Sequence, residues 1–525
     1  MESRCLRHTE LPHTSRLFED YVYHFEKVAG FYELPPRQPA SFQEAVSRLD
    51  FPDERRTALV SALREQNGDH PTLDRLAHPG TVVVVAGQQV GLYSGPAYTI
   101  YKALTAVKLA ARLTEQGMPA VPVFWLATED HDFAEVDHCW IFDAAHRPVR
   151  LEARSPARTD GPVGEAPFSG ELTGELRRTL SGFAFGDDVA ALVEQTYTEG
   201  RSFGAAFHEL LRRLLEKFGL VYFDPMQPAL RELAAPVLRR SLEAAGDLVP
   251  AVLERNSALA AAGYHAQVHV ESQSSLLFLL EGGRRLPLRR TEDSYIAGTL
   301  RISADELAGR AESLSPNALL RPVVQDYLLP VAATVVGPAE LAYLAQSQVL
   351  YRTLLGRMPV VVPRAGFTLL DSRSDRLISR YGLAFGDFYH GEGALRERIA
   401  SRLVPPGLSR CLWEASAATE KHIERLRAEL VRFDPTLAAA LDTSRRKIVH
   451  QFTKLEHKVA RESLRRDERA AEEAAYVYGL VYPERHLQER LYSILPFLAK
   501  HGLELLDAIY DNVQLDCPDH QVLVV

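Results

Sequence analysis

The sequence predicts an α/β protein with a doubly wound parallel sheet, followed by a long α-helical coiled coil. Two stretches predict the sheet, because an apolar strand, a glycine-containing loop and a helix occur in that order at residues 81–111 and again at 330–355. A change of composition to Ala, Glu, Lys, Arg and Leu predicts the coiled coil. We expect three parts: a core over 1–411 with insertions at roughly 142–314, a coiled coil over 412–478, and a segment over 479–525 that packs back on the core.

The first strand is predicted at residues 82–86, where the apolar residues are continuous. Such a run is typical of a parallel strand that is buried on both faces. Gly87, Gly91 and Gly95 then let the backbone turn, and Pro96 suits the first position of a helix. A strand, a glycine loop and a helix N-terminus can form an anion site. A phosphate or carboxylate site and a simple tight turn are equal alternatives at this point.

Two glutamines in the same loop narrow the class of ligand. Gln88 and Gln89 can donate and accept hydrogen bonds, which favours a neutral polar ligand such as a sugar or an amino acid. The loop lacks the Gly-Lys-Ser/Thr ending of a Walker loop.

The second strand, at residues 121–127, ends in an acidic loop. Glu129, Asp130, His131 and Asp132 place three carboxylates around one imidazole. The carboxyl ends of parallel strands share one edge of the sheet, so we expect this loop to lie beside the glycine loop. General acid/base chemistry or substrate binding is the preferred interpretation, capping of the next helix the second and metal binding the third. A cationic substrate such as an amine would offset the acidic charge.

Polar residues also flank the strands predicted in the second half, at 330–336 and 360–362. Arg321 and Gln325 precede the first of these strands and Arg364 follows the second. Arginine at such a position can clamp a carboxylate or phosphate through two hydrogen bonds, although an exposed or ion-paired arginine is the commoner outcome.

Apolar residues in the predicted coiled coil fall three or four apart on both sides of an Asp-Pro pair: Ile423, Leu426, Leu430, Phe433, Leu437, Leu441, Ile448, Phe452, Leu455 and Val459. A second helix that ran to Tyr476 would be about 60 Å long at ~1.5 Å per residue. The partner of this stripe is the preceding helix, a second copy of the chain, or both. The basic run from Arg445 to Arg466 is interpreted as the solvated face of the coil, with a polyanion-binding groove as the alternative.

Composition excludes several classes of protein. The net charge of -9 argues against a broad nucleic-acid surface. No apolar run is long enough to span a membrane, and the N-terminus lacks a signal-peptide pattern, so we expect a cytoplasmic protein. The scattered cysteines, Cys5, Cys139, Cys411 and Cys517, suggest neither a disulfide framework nor a zinc site.

Beyond these patterns, the sequence resembles the cysteine-adding enzymes of bacillithiol biosynthesis over nearly its whole length. The blocks that carry the resemblance are residues 87–96 with 98–102, 121–125 leading into 129–133, Ser315-Pro316-Asn317 with 320–322, Gln325 and 329–330, Gly337-Pro338 with Glu340 and Tyr343, Pro363-Arg364, and 487–490.

The resemblance implies a Rossmann-type core like that of class I aminoacyl-tRNA synthetases, with inserted connecting segments and a dimerising coiled coil. It also implies amide formation between L-cysteine and the amine of glucosaminyl-malate, which gives bacillithiol. A free carboxylate is a poor electrophile, so we expect activation by ATP or another nucleotide, although the synthetase signature patterns are absent. We predict no metal.

On this hypothesis the glycine loop with Gln88 and Gln89 holds the sugar, and Arg321 binds the malyl carboxylates. Asp130 or Asp132, together with His131, binds the amine and takes its proton. The remaining residues expected to bind substrate are Gly87, Gly91, Gly95, Glu129, Asn317, Gln325, Glu340 and Arg364. Two other functions stay open: a synthetase-like nucleotide-binding transferase for another amino acid, and a non-catalytic scaffold that acts through its coiled coil.

Overall fold

The computed structural model describes residues 3–154 and 160–525. Over these residues the strands are β1 (Ser3–Leu6), β2 (Val82–Gln89), β3 (Ala120–Ala127), β4 (His138–Phe142), β5 (Pro148–Glu152), β6 (Val221–Phe223), β7 (Ser274–Glu281), β8 (Arg284–Arg290), β9 (Tyr295–Ala297), β10 (Leu300–Ile302), β11 (Leu314–Pro316), β12 (Val331–Val336), β13 (Val360–Pro363), β14 (Phe367–Leu370) and β15 (His520–Val524).

The α-helices over the same residues are α1 (Arg16–Tyr23), α2 (Pro39–Ser47), α3 (Asp53–Asn67), α4 (Pro71–Ala77), α5 (Tyr98–Glu115), α6 (Thr173–Leu180), α7 (Gly186–Thr196), α8 (Phe203–Leu214), α9 (Pro228–Glu243), α10 (Ala245–Ala261), α11 (Ala304–Gly309), α12 (Arg321–Leu328), α13 (Pro338–Leu354), α14 (Ser372–Tyr381), α15 (Phe385–Tyr389), α16 (Glu392–Leu403), α17 (Pro406–Phe433), α18 (Thr436–Arg466), α19 (Glu468–Val481), α20 (Gln488–Leu491), α21 (Leu495–His501) and α22 (Leu505–Asn512). None of these helices is both long and apolar enough to cross a membrane.

The central sheet has the predicted doubly wound topology. Its strands lie in the order β6-β3-β2-β12-β13, and all are parallel. The chain forms β2, β3 and β6 in one direction and then adds β12 and β13 on the other side of β2. Because the direction reverses between β2 and β12, a crevice opens above the carboxyl ends of these two strands, where open α/β sheets bind their ligands.

Helices on both faces of the sheet explain the continuous apolar run of β2. Val82 and Val84 belong to the core on the side of α5, whereas Val83 and Val85 belong to the core on the side of α3. All four side chains are buried. Burying one such side chain contributes about 1.5–3 kcal/mol, so the strand is held firmly beneath the crevice.

An antiparallel sheet with the order β10-β9-β8-β7-β11 lies in the insertion between β6 and β12. A hairpin of residues 266–270 with 276–280 is expected from the sequence, but that pairing is wrong, because 266–270 form no strand and β7 pairs with β8. The glycines at 282 and 283 explain the difference, since both have positive φ, 58° and 74°. A two-residue turn of this kind pairs the residues on either side of it, here Glu281 with Arg284.

Helices α17 and α18 form an antiparallel hairpin, joined by ion pairs between Arg427 and Asp442 (3.3 Å) and between Arg445 and Glu420 (2.9 Å). The second helix does not run to Tyr476, because α18 ends at Arg466 and the backbone bends at Asp467 before α19 begins. The end of the chain then returns to the core, where β15 lies between β1 and β14.

Candidate active site

A cavity of about 730 Å³ occupies the crevice at the reversal point of the sheet. Its floor is formed by the carboxyl ends of β2 and β3 and by the start of α13. The acidic loop after β3 and the inserted antiparallel sheet form one wall, and arginines of α12 and of the segment after β13 lie on another.

The glycine and the two glutamines at the end of β2 lie on the cavity floor as the last residues of the strand. Gly87 packs closely on the adjacent strand, because a Cβ there would lie 3.1 Å from both the Cβ and the carbonyl oxygen of Trp125. Gln89 Nε2 donates to Asp130 Oδ2 (2.6 Å) and Glu135 Oε2 (2.7 Å). The structure thus brings the end of β2 and the acidic loop together through Gln89.

The other two glycines of this loop do not line the cavity. Gly95 has a φ of 64°, and a Cβ on Gly91 would lie 3.1 Å from the Gly95 Cα, so both serve the tight turn that leads to α5. Most N–H groups at the start of α5 are used within the chain, since Ala97 donates to the Tyr492 carbonyl (2.7 Å), Thr99 to the Pro96 carbonyl (2.9 Å) and Ile100 to the Ala97 carbonyl (3.0 Å).

Of the acidic loop, Glu129, Asp130 and His131 line the cavity, while Asp132 is exposed outside it. Burial favours the neutral form of Asp130, but hydrogen bonds from the His131 backbone N–H (2.8 Å) and from Gln89, together with the charge of Arg285, outweigh burial and hold the pKa of that carboxyl well below its usual range. Asp130 therefore stays ionised at neutral pH. Such a carboxylate binds a cation well and is a weak proton acceptor.

Arg285, on β8 of the inserted sheet, reaches the acidic loop from above. It is 8% exposed and donates to the Pro316 carbonyl (2.7 Å), Ser315 Oγ (3.1 Å) and His131 Nδ1 (3.0 Å). Ser315 Oγ in turn donates to Glu129. No motif in the sequence marks Arg285, because its contact with the acidic loop depends on how the insertion folds over the core.

Arg321 is a cation whose hydrogen-bond partners are neutral. Its guanidinium donates to Gln325 Oε1 (3.1 Å) and the Tyr343 hydroxyl (3.0 Å) and lies 6.0 Å from the centre of the Trp125 ring. Gln325 is buried behind Arg321, outside the cavity, and also donates to Asp326 Oδ1. Gln325 thus orients the arginine and does not reach the cavity itself.

Arg364 is already paired with a carboxylate. It makes two hydrogen bonds to Glu489, at 2.9 and 2.6 Å, and its Nε faces Gly337. Asn317 lines the cavity, and its Oδ1 accepts from the Leu319 and Leu320 N–H groups at 3.1 and 3.0 Å. Asn317 therefore also holds the turn that leads into α12.

Lys102 is a cavity residue that sequence reasoning overlooked. Its ammonium donates to Gln88 Oε1 (2.8 Å) and the Gly87 carbonyl (3.0 Å) and pairs with Glu340, which also accepts from the Gly337 N–H (2.8 Å). Burial lowers the pKa of Lys102, and the carboxylate of Glu340 opposes that effect. Lys102 lies on the buried side of α5, where helical spacing predicts an apolar core residue. A charged residue at such a position was the one sequence feature that could have indicated a role in the cavity.

Two family models match the chain. "Bacillithiol biosynthesis BshC, N-terminal Rossmann-like domain" matches residues 1–365, and "Bacillithiol biosynthesis BshC, C-terminal coiled-coil domain" matches residues 367–525. These matches confirm the expected combination of a Rossmann-like core with a coiled coil.

Relatives match over their full length as well. A protein of Solibacter usitatus is 59% identical over all of both chains, and one of Koribacter versatilis is 35% identical over 99% of each. A protein of Salinibacter ruber is 32% identical over 97% of this chain and 96% of its own. All three carry the name "Putative cysteine ligase BshC". By domain models, full-length identity and a Rossmann-like core joined to a coiled coil, the chain belongs to the BshC family of bacillithiol biosynthesis.

Proposed function

We propose that this protein is a cysteine ligase that joins the carboxyl group of L-cysteine to the amine of glucosaminyl-malate, in the last step of bacillithiol biosynthesis and in the cytoplasm. The observation that carries the proposal is that one cavity is lined both by carboxylates, Glu129 and Asp130, and by a guanidinium, Arg321, whose hydrogen-bond partners are neutral. An acceptor with one amine and two carboxylates matches that set of groups.

The acidic side suits the amine of the acceptor. Asp130 is held ionised by its hydrogen bonds and by Arg285, so it can bind an ammonium or the polarised amine that attacks cysteine. Its low pKa makes Asp130 a binding group in preference to the base that removes the amine proton.

Arg321 suits the malyl carboxylates. Its partners, Gln325 and Tyr343, are neutral, so its charge is available to a substrate carboxylate. Arg364 is less available, because Glu489 already occupies two of its donors. A planar guanidinium can bind a carboxylate through two hydrogen bonds, which gives both affinity and orientation.

Activation of the cysteine carboxyl by ATP or another nucleotide belongs to the same proposal. Amide formation from a free carboxylate needs a leaving group on that carboxyl, and nucleotide-dependent activation supplies one. Incubation of the purified protein with cysteine, glucosaminyl-malate and each nucleotide in turn, with mass detection of the cysteine adduct, tests this. We expect a product only when all three components are present. Absence of product under every nucleotide condition, with protein shown to be folded, would contradict the proposal.

We also propose that the coiled coil joins two copies of the chain. About half of the apolar residues of its stripe are exposed on the α17–α18 hairpin, including Leu426 (51%) and Phe433 (83%). Exposed apolar residues at this spacing are the pattern of a helix that packs against another helix.

A further inference from the structure

We infer that Arg285 is a positioning residue that fixes His131 as a hydrogen-bond donor to the substrate. The inference rests on the proposed function, and it replaces the role of proton acceptor that the sequence suggests for His131. It also gives the inserted antiparallel sheet a part in the reaction, since Arg285 belongs to β8.

The contact between the two side chains determines the tautomer of the imidazole. Arg285 Nη1 lies 3.0 Å from His131 Nδ1. A guanidinium has only donors and stays protonated in proteins, so Nδ1 must be the acceptor. A proton on Nδ1 would set two N–H groups against each other. The neutral ring therefore carries its proton on Nε2.

The contact of His131 Nδ1 with Asp130 is weaker than its contact with Arg285. Asp130 Oδ1 lies 3.5 Å from His131 Nδ1, at the outer limit for a hydrogen bond, and it already accepts from the His131 backbone N–H at 2.8 Å. The shorter contact with Arg285 sets the state of Nδ1.

Arg285 is held in place independently of His131. Its other two nitrogens are bound by the Pro316 carbonyl and Ser315 Oγ, and its guanidinium lies 4.0 Å from the centre of the Phe278 ring. The His131 ring also packs on Phe278, with 5.4 Å between ring centres. The arginine and the aromatic ring together fix the plane of the imidazole.

The remaining nitrogen is available to a ligand. His131 lines the cavity with 39% of its side chain exposed, and its Nε2 has no hydrogen-bond partner among residues 3–154 and 160–525. When the amine attacks the activated cysteine carboxyl, a C–N bond forms and the carbonyl oxygen gains negative charge. The carbonyl then re-forms as the bond to the activating group breaks, the activating group leaves with the electrons of that bond, and the amine proton passes to water. An Nε2–H donor aimed at that oxygen stabilises the charge without accepting or losing a proton.

Nitrogen-15 NMR of histidine-labelled protein tests the tautomer without any need for activity. The signals of His131 are assigned by their loss in His131→Gln. We expect a protonated Nε2 and an unprotonated Nδ1 in the wild-type protein, and a mixture of both tautomers in Arg285→Met. A wild-type His131 protonated on Nδ1 would overturn the inference even if the ligase reaction is confirmed. Failure of the ligase reaction leaves this measurement intact.

Kinetics of Arg285 variants test whether Arg285 positions His131 for the reaction. We expect Arg285→Met to lower kcat by about 10²-fold with little change in the KM for cysteine, as for loss of a donor to an oxyanion. Arg285→Lys, which keeps the positive charge and N–H donors but loses the planar fork of the guanidinium, should recover part of this loss. Arg284→Gln is the matched control, because Arg284 is the exposed neighbour on the same strand and pairs with Asp160; its kcat should stay within about twofold.

Substitution of His131 itself distinguishes a role as hydrogen-bond donor from a role as general base. Glutamine can donate a hydrogen bond from its amide but cannot act as a general base. His131→Gln should therefore retain at least about tenfold more activity than His131→Ala. Equal loss of activity in the two variants, with both shown to be folded by circular dichroism, would overturn the donor role.

Discussion

At the scale of single residues, sequence patterns predicted which loops meet at the cavity but not which of their side chains line it. Gln89 and Asp130 are separated by 41 positions, yet each follows a parallel strand, and that rule was enough to predict that they lie together. Whether a residue faces the cavity depends on local turns. Asp132 follows His131 directly and is exposed, and Gln325 is turned into the core.

Arg321 should decide affinity for the acceptor. If it binds the malyl carboxylates, Arg321→Gln removes charge-assisted hydrogen bonds worth about 1.5–3 kcal/mol. We expect the KM for glucosaminyl-malate to rise about 10- to 100-fold, measured by the rate of adduct formation at varied acceptor concentration. The KM for cysteine serves as the internal control and should not change. An effect on cysteine alone would contradict this role.

Asp326 gives a pH dependence of stability. Burial raises the pKa of Asp326 to about 6, against the charge of Arg357 and hydrogen bonds from Gln325 and Tyr351. The Tyr351 hydroxyl has one proton but faces two acceptors at 3.0 Å, the Pro322 carbonyl and Asp326 Oδ2. A proton on Asp326 resolves this, because Asp326 can then donate to Tyr351 while Tyr351 donates to Pro322.

The sign of the effect follows from the raised pKa. An unfolded aspartate titrates near pH 3.9, so between about pH 4 and 6 the folded state binds more protons, and the free energy of unfolding falls as pH rises through this window. Asp326→Asn cannot ionise and should raise the free energy of unfolding at pH 7.5 by about 3 kcal/mol, with no gain near pH 4. Urea unfolding at several pH values measures this. The exposed Asp293→Asn is the control, and an equal gain at all pH values would contradict the assignment.

At the scale of elements, the strands were predicted better than the long helix. The apolar runs of β2, β3 and β12 are short and bounded by glycine or proline, so their limits are local. Asp467 has no such signal, because aspartate is tolerated inside a helix although it favours caps. Its backbone leaves the helical region (φ -111°, ψ 81°), and its side chain accepts from the Ala470 N–H at 3.0 Å. The bend turns α19 back to the core.

Loss of this cap should loosen the junction between α18 and α19. Asp467→Ala removes a side-chain cap worth about 1 kcal/mol. Hydrogen–deuterium exchange of peptides spanning residues 464–475 should become about fivefold faster, since 1 kcal/mol changes an opening equilibrium by about that factor. Glu468→Ala, at the next and exposed position, should leave exchange unchanged. Equal exchange in Asp467→Ala and the wild type would show that the bend is held by packing alone.

At the scale of the whole molecule, sequence patterns predicted the doubly wound sheet, because two strand–loop–helix units on one chain permit few other arrangements. These patterns could not predict how the inserted sheet packs over the acidic loop. Arg285 and His131 are 154 positions apart, and no periodicity links them. The same limit applied to Arg364 and Glu489, which are 125 positions apart.

The apolar stripe of the coiled coil divides into a buried set and an exposed set. Ile423 is buried within the subunit, whereas Leu426 and Leu455 are exposed by 51% and 46%. A symmetric dimer would bury each of these leucines once on each subunit, and because about half of the side chain is exposed, each burial contributes about 1 kcal/mol. Leu426→Glu or Leu455→Glu should therefore weaken dimerisation by at least about 10²-fold, measured by light scattering over a range of concentrations. Arg446→Glu introduces the same side chain on the opposite face of α18 and should leave the dimer intact. A wild-type protein that stays monomeric at all concentrations would contradict the prediction, and so would leucine variants that dimerise normally.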